Sequence, residues 1–599
     1  MNVKFIDNER KVFEGDYDEN LNAVRHTAAH IVAQAVKRLY GKDVVLATGP
    51  ATDEGFYYDF DNLDIGQEDL EKIESEIKKI LKENQKTEVF SYTKQEAIDY
   101  MKKQNNIYKL ELINEMTDDG IVYFFKQGDF IDMCKGPHLL YLKSVGHIKL
   151  LSVTGAYWKG KEKNKMLTRI SGTCYSKSED LEAYLNQRKQ AIARDHNKIG
   201  RELELFTTAE EVGQGLPLFM PKGTKMLQIL QRFVEDEEEK RGYLLTKTPY
   251  MAKKELYQIS GHWDHYKDGM FVLGDESKDD EVYALRPMTC PFQFMIYKAK
   301  LHSYKELPIG YTETSTLFRN EASGEMHGLT RVRQFTLADG HIIVTEEQIE
   351  DEFKKVLEFI DYIMDVLDIK NEISYRFSKW DPNDKVKYID NPKAWNSTQE
   401  KMKKILDDIG LDYIEADGEA AFYGPKLDIQ YKNVYGKEDT LITIQIDFAL
   451  PERFDLFYVD KDGSKKRPFV IHRSSIGCYE RTLAMLIEKY AGAFPAWIAP
   501  VQAKILNISD NQLEYVKRIK EELMKQGIRV DVDKDTETIG KKIRQAQLEK
   551  VPYMIIIGQK EQDSNMISVR TRNGEDLGDM TVEYFVAKVK EEVRQQLKK

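Results

Sequence analysis

The sequence predicts a multidomain α+β protein, and three observations carry that prediction. At 599 residues the chain exceeds what one hydrophobic core supports, so about three or four domains are expected. Helical and extended hydrophobic patterns are mixed along most of the chain. From Ala503 onward a strand–helix–strand–helix–strand order implies a compact α/β domain at the C-terminal end. With 41% hydrophobic and 32% charged residues, the composition is that of soluble globular protein. No run of roughly 18 apolar residues offers a transmembrane helix. The start, MNVKFIDNERKVFEGD, lacks an apolar core ending in a cleavage site, so secretion is not indicated. Cys134, Cys174, Cys290 and Cys478 are too few for a disulfide framework, and a reducing cytoplasm is expected. A net charge of −12 argues against indiscriminate nucleic-acid binding but leaves room for a local basic face.

The first clear helix runs from Ala23 to Tyr40, where Ala28, Ile31, Val32, Ala35, Val36 and Leu39 recur as one buried face. His26 and His30 lie one turn apart and opposite that stripe, which makes them poor core histidines. Cys134-Lys-Gly-Pro-His138 supplies a second pair on a loop broken by Gly136 and Pro137. By ligand type, HxxxH with CxxxH suits a zinc site. Ser178 to Leu205 is charged and helical in composition and reads as a linker helix.

From Phe206 to about Pro500 lies a large α+β block. A helix with Met226, Leu230 and Phe233 on one face leads past Gly242 into a short strand that stops at Pro249. Next, Thr312–Glu321 and Leu329–Thr336 read as antiparallel strands joined by the loop Ala322–Gly328. This hairpin carries Arg319, Arg331 and Arg333 with Glu321 and Phe335. Guanidinium forks grip phosphate oxygens, an aromatic ring stacks on a base, and a carboxylate accepts from an exocyclic amine. That is an ATP site without a glycine-rich loop; the competing reading is a salt-bridged surface hairpin. Leu441–Phe448 alternates as a half-buried strand. Ile476-Gly-Cys-Tyr-Glu-Arg481 runs into an apolar helix and offers a second phosphate clamp.

In this order the three elements resemble motifs 1, 2 and 3 of class II aminoacyl-tRNA synthetases. Arg286-Pro-Met-Thr-Cys290-Pro and Phe318-Arg-Asn-Glu-Ala-Ser-Gly-Glu-Met-His-Gly328 narrow the resemblance to threonyl-tRNA synthetases, over nearly the whole chain. It implies an antiparallel-sheet catalytic domain over 206–499, an α+β editing domain over 1–177, a linker helix over 178–205 and an α/β anticodon-binding domain over 500–599. It also implies ATP with Mg²⁺, L-threonine and tRNA(Thr) as ligands, a homodimer built on motif 1, and a cytoplasmic enzyme. The family usually carries a further small N-terminal domain, which has no counterpart in this sequence.

Carried over position by position, the resemblance places Arg319 on the α-phosphate and carboxylate side, Arg331 and Arg481 on the outer phosphates, and Phe335 on adenine. His262 and Lys426 match positions implicated in adenylate formation. Cys290, His341 and His472, each beside a motif, form a three-ligand zinc set with one position open, as in working zinc sites. Asp339 is expected to accept from the substrate hydroxyl, with Tyr423 and Gln445 nearby. The familiar run Gln-Asp-Asp-Ala-His is here Leu337-Ala-Asp-Gly-His341, so a side-chain amide expected to meet the amino acid is missing.

In the N-terminal domain His26, His30, Cys134 and His138, with Asp132 as partner, resemble the hydrolytic site of these synthetases. There a metal is not generally required, so metal-free hydrolysis stands beside the zinc reading. In the last domain Glu561 and Arg570 match anticodon-contacting positions. Thr538–Arg544 and Val569–Gly574 place basic groups for RNA, while Thr536 stands where asparagine is expected. A rival of another class is a catalytically retired paralogue that binds RNA as a regulator; intact Arg319, Arg481, Cys290, His341 and His472 speak against it.

Overall fold

A computed structural model describes residues 1–41, 43–116, 120–161, 163–385 and 387–598. The chain forms two compact units, Met1–Lys189 and Gln190–Lys599. The segment expected as one linker helix is two, Ser178–Arg194 and His196–Glu202, because Asp195 leaves helical geometry and caps the second by accepting from the Lys198 amide.

The first unit is organised around the helix Leu21–Tyr40. Alanines at 23, 28, 29, 33 and 35 favour helix and let neighbouring elements come close. The helix packs on the strands Phe56–Asp61 and Met166–Tyr175, on the short strand His138–Leu139 and on the helix Leu70–Glu83. One expectation is corrected here. Between Ala23 and Val36 this helix is buried almost all round, and His30 is fully enclosed rather than on a free face. The side opposite the apolar stripe is covered by chain from the strands Ile121–Gln127 and Phe130–Met133 and the loop that follows them.

In the second unit an eight-stranded sheet has the order Leu244–Leu245, Ile309–Phe318, Gln334–Val344, Phe469–Cys478, Glu438–Asp447, Lys426–Lys432, Ile373–Ser378, Tyr413–Ala416. It is antiparallel except at its two edges. Glu438–Asp447 is a strand with Leu441, Ile442, Ile444 and Ile446 buried. The expected hairpin is present with a longer connection: its strands end at Phe318 and resume at Gln334, so Arg319, Arg331 and Arg333 lie on the connecting segment. One face of the sheet is closed by the helices Pro221–Lys240, Ile349–Val366 and Tyr479–Tyr490, which bury Ile342, Ile444, Ile446 and Ile471 in the main core. The other face carries the site.

The C-terminal part has a five-stranded sheet ordered Val530–Val532, Ala503–Asn507, Tyr553–Ile557, Ile567–Thr571, Asp576–Met580. Its first three strands are parallel and the last two antiparallel.

On the helix side Arg473, fully buried, projects from the sheet onto Glu238 of the helix Pro221–Lys240. The other oxygen of Glu238 accepts from Thr312 at 2.7 Å. Among the described residues Arg473 Nε and one terminal nitrogen have no hydrogen-bond partner, and the guanidinium lies 4.2 Å over the Tyr243 ring. Deleting one partner of such a pair leaves an uncompensated charge. Glu238→Ala is therefore expected to destabilise the second unit by about 3–5 kcal/mol, whereas Lys278→Ala, which breaks the exposed contact to Asp275, leaves stability nearly unchanged. Denaturant unfolding of the full chain checks this; equal midpoints for the two variants would refute it.

Candidate functional site

Cross-strand register builds the central site. His341 pairs opposite His472, His472 opposite Gln445, and Gln445 opposite Lys426, so four strands present these residues in one row on one face. Cys290, at the start of the helix Cys290–Lys298, completes a cluster with His341 and His472 whose ligand atoms all lie within 4.8 Å of one another. His341 Nδ1 lies 2.5 Å from Gln293 Oε1, and His472 Nε2 lies 2.9 Å from Asp447 Oδ2. An acceptor outside the cluster thus engages one nitrogen of each ring, which leaves His341 Nε2 and His472 Nδ1 for the cluster. The donor set and its supporting acceptors fit a zinc ion. Burial holds the His341 pKa low and pushes the Cys290 thiol up, and it raises the Asp339 carboxyl as well. Asp339 Oδ1 stands 3.9 Å from His341 Nε2.

This cluster lies at one end of a pocket of about 260 Å³ whose walls also include Arg319, Glu321, Arg331, Phe335, Tyr423, Gln445 and Arg481. Arg319 packs 5.1 Å above the Phe335 ring, and its buried Nε has no hydrogen-bond partner among the described residues. Arg481, in the first turn of the helix Tyr479–Tyr490, donates to the carbonyls of Thr330 at 3.2 Å and Thr440 at 2.6 Å. Arg331 pairs with Glu321 at 2.9 Å and Glu325 at 3.2 Å. The Tyr423 hydroxyl donates to Gln445 Oε1.

His262 and Lys426 are not among the pocket-wall residues. His262 Nδ1 meets Ser260 Oγ at 2.9 Å, and burial, with the Arg319 charge nearby, depresses its pKa to about 3. Lys426 Nζ pairs with Asp428 at 3.0 Å. Leu337 is accounted for by packing. It stands opposite Cys478 in the sheet, and both pack against Leu317, Val332 and Phe335, so the aromatic ring rests on an apolar patch. Gln293 and Asp447 were missed by sequence reasoning; Gln293 lies one turn after Cys290 on its helix, the only available signal.

In the first unit His26, His30, Cys134 and His138 come together, again with ligand atoms within 4.8 Å. Their rings are close, His138 lying 4.4 Å from both His26 and His30 between centroids. Cys134 Sγ lies 3.1 Å from His138 Nε2, and Thr27 Oγ1 3.2 Å from His138 Nδ1. Asp132 accepts from the Tyr58 hydroxyl at 2.5 Å, pairs with Lys109 at 2.9 Å and lies 3.5 Å from His30 Nε2. Lys109 and Tyr58 were not singled out beforehand; a lysine in the apolar stretch Ile107–Ile113 was the faint signal. A cavity of about 700 Å³ opens onto His26, His30, Lys109, Asp132 and Cys134. Burial lowers the pKa of His26 to about 4 and those of His30 and His138 well below the ordinary value, so all three are neutral at pH 7.

In the C-terminal domain Glu561 is largely buried and caps its own helix, accepting from the Gly558 amide at 2.8 Å. Arg570 is half exposed and pairs with Asp576 at 3.0 Å. Lys542, expected on a basic face, is instead buried, with its ammonium 3.0 Å from Asn507 Oδ1 and 3.5 Å from Asp533. Lys541 and Arg544 remain exposed beside it.

Comparison with known proteins agrees with this geometry. The tRNA synthetase class II core domain (G, H, P, S and T) matches residues 271–490 and the anticodon binding domain residues 497–592. The second additional domain of threonyl and alanyl tRNA synthetases matches residues 122–171. The fold and pocket are therefore those of a class II aminoacyl-tRNA synthetase. Threonine–tRNA ligase of Clostridium botulinum (strain Eklund 17B / Type B) is 60% identical over 96% of this chain and 90% of its own length. That of Geobacillus sp. (strain WCH70) is 46% identical over 99% and 93%. A crystal structure of the RNA binding domain of threonyl-tRNA synthetase from Cryptosporidium parvum Iowa II superposes with a TM-score of 0.62 at 34% identity, covering 66% of this chain and 98% of that one. The chain belongs to the threonine–tRNA ligase family.

The neutral histidines set a pH dependence. Their folded pKa values lie below the unfolded value of about 6.5, so the unfolded state binds more protons as pH falls. The stability they leave intact above pH 6.5 is lost progressively as pH drops from 6.5 towards about 4, the value of His26. Hydrogen exchange of the helix Leu21–Tyr40 in the full chain, corrected for intrinsic rates, should show this loss of protection. Constant protection between pH 7 and 5 would refute it.

Proposed function

We propose that the protein joins L-threonine to tRNA(Thr) through a threonyl-adenylate formed in the central pocket, and hydrolyses mischarged Ser-tRNA(Thr) in the N-terminal pocket. The observation that carries this reading is the single row of His341, His472 and Gln445, with Cys290, at the end of a pocket walled by Arg319, Phe335 and Arg481.

ATP enters with Mg²⁺. Phe335 takes the adenine face, and Glu321 accepts from its exocyclic amine. Arg319, poised above Phe335, holds the α-phosphate while a threonine carboxylate oxygen attacks it, the bond to the β-phosphate breaks and pyrophosphate leaves. Such preorganised donors act where charge develops. Arg331 and Arg481 hold the outer phosphates, and His262 and Lys426 assist from the pocket margin. Cys290, His341 and His472 would hold zinc, which when bound supplies coordination to the α-amine and β-hydroxyl of threonine. Asp339, beside that cluster, accepts from the hydroxyl, and Tyr423 and Gln445 close the amino-acid end. Valine lacks the hydroxyl; packing alone would separate it by only about two orders of magnitude.

Serine offers both groups that this site recognises, and the lost methyl is worth only about 1–3 kcal/mol. The second pocket supplies the remedy. His26, the most open of its neutral histidines, takes a proton from the attacking water, while His30 is oriented by Asp132 and Lys109 orders that carboxylate. We read this hydrolysis as metal-free: the Cys134 thiol is engaged by His138, and Thr27 takes the other nitrogen of that ring. Glu561 and Arg570 belong to the surface that reads the anticodon. The editing domain spans 1–177, the linker 178–205, the catalytic domain 206–499 and the anticodon domain 500–599. A homodimer is supported by the edge strand Leu244–Leu245, whose two leucines are 53% and 62% exposed. Among the described residues no helix is long and apolar enough to cross a membrane, in keeping with a cytoplasmic enzyme.

Two measurements test this reading. Replacing His26 and His30 together by alanine should leave threonine charging within about twofold while Ser-tRNA(Thr) accumulates, because editing and adenylate formation use separate binding energy. Loss of threonine charging, or continued clearance of Ser-tRNA, would refute the assignment. Metal analysis of metal-replete protein should find about one zinc per chain, absent in Cys290→Ala and bound about 10–100-fold more weakly in Gln293→Ala. A full equivalent retained by Cys290→Ala would overturn the ligand set.

A further inference from the structure

One fully buried imidazole in the second unit has no part in the scheme above. His196 begins the helix His196–Glu202, and its two nitrogens join segments far apart in sequence. Nδ1 lies 2.6 Å from Glu488 Oε1, on the helix Tyr479–Tyr490 that opens with the Arg481 turn. Nε2 lies 3.1 Å from the backbone nitrogen of Leu329, in the segment connecting the two hairpin strands. A backbone amide only donates, so Nε2 carries no proton, and Nδ1 bears the hydrogen and donates it to Glu488. The contact is close enough to restrict its neighbour. A Cβ on Gly328, whose φ is +49°, would stand 2.1 Å from His196 Nε2 and 2.5 Å from Asn197 Oδ1.

The residue after Leu329 gives this bridge its consequence. Thr330 offers its carbonyl to Arg481 Nε at 3.2 Å. Glu488 lies two turns after Arg481 on one helix, so both side chains share the face turned to the connecting segment. His196 ties the far end of that face to Leu329, and Arg481 ties the near end to Thr330. Among the described residues the guanidinium has one other hydrogen-bond partner, the carbonyl of Thr440.

We propose that His196 is a positioning residue for the synthetic site: by holding Leu329 against the helix Tyr479–Tyr490 it places the Thr330 carbonyl, and through it the guanidinium of Arg481 that meets ATP. This rests on the reading of Arg481 as an ATP ligand. His196 itself touches no substrate, so the effect falls on ATP binding and not on the editing pocket.

The two nitrogens can be tested separately. Asparagine at this position places its amide where Nδ1 stands and keeps the contact to Glu488 but cannot reach Leu329. Glutamine reaches the Leu329 amide with its carbonyl oxygen. In threonine-dependent ATP–pyrophosphate exchange, His196→Asn is expected to raise the KM for ATP about tenfold with kcat changed far less, the size of one lost buried hydrogen bond. His196→Gln should stay within about threefold of wild type in KM. Hydrolysis of Ser-tRNA(Thr), and the KM for threonine, should be unchanged in both. An unaltered KM for ATP in His196→Asn overturns the proposal. So does an equal rise in both variants, since a space-filling histidine would not distinguish which nitrogen is replaced. Arg481→Ala separates the two levels of inference. If it leaves the KM for ATP untouched, the ATP-site reading fails and this proposal with it. If it raises KM while His196→Asn does not, only the role of His196 is lost.

Discussion

The catalytic half of this protein depends on the register of four neighbouring strands. Residues directly opposite in an antiparallel sheet project to the same side, with Cβ atoms about 5 Å apart. Pairing His341 with His472, and His472 with Gln445, therefore brings three distant segments to one point without any loop having to find its place. A slip of one residue in any pair would turn one of these side chains into the helix-packed core. The opposite face prevents that slip. Residues one step along, such as Ile342 opposite Ile471 and Ile446 opposite Ile471, are buried against the helices. The hydrophobic face that makes the domain stable thus also sets the geometry of the polar face.

Arg473 is the exception on the buried face. It occupies the step between His472 and Ser474 and carries a charge into the interior, where Glu238, Ser475 and Tyr243 receive it. Gly340 lies opposite Arg473 in the register, and a methyl there would stand 2.6 Å from the guanidinium carbon. This chain carries glycine where the related run carries alanine, and the close approach of Arg473 gives that glycine a physical reason. Leu337 in the same run is explained by the apolar patch beneath Phe335. Two of the run's three departures, Leu337 and Gly340, are thus packing features of one strand; nothing in the structure explains Ala338.

Much of this was legible in the sequence because it is local. The helix at Leu21–Tyr40, the alternating strand Glu438–Asp447 and the turn from strand into helix at Cys478 follow from hydrophobic period. The identities of Cys290, His341 and His472 were legible through resemblance, because the motifs flank them. What escaped was whatever depends on a partner from elsewhere in the chain. His30 read as a residue off the apolar face, yet the covering strands come from positions about a hundred residues later. Lys109 and Tyr58 converge on Asp132 from a helix and a strand with no common pattern. Lys542 sits in a basic run whose neighbours are exposed, and only the fold shows that Asn507 and Asp533 take it inward.

The two histidine–cysteine clusters show why residue types alone do not decide chemistry. Both bring a thiol and imidazoles within 4.8 Å of one another. In the central cluster the acceptors Gln293 and Asp447 engage the outer nitrogens, so each ring has a nitrogen left for the interior of the cluster. In the N-terminal cluster the engagement turns inward: Cys134 and Thr27 occupy both nitrogens of His138, and His30 faces Asp132. A metal there would have to displace the Cys134–His138 contact. In the first arrangement each ring keeps a nitrogen for the interior of the cluster, and in the second the groups engage one another. Second contacts of the imidazoles, more than the imidazoles themselves, distinguish one cluster from the other.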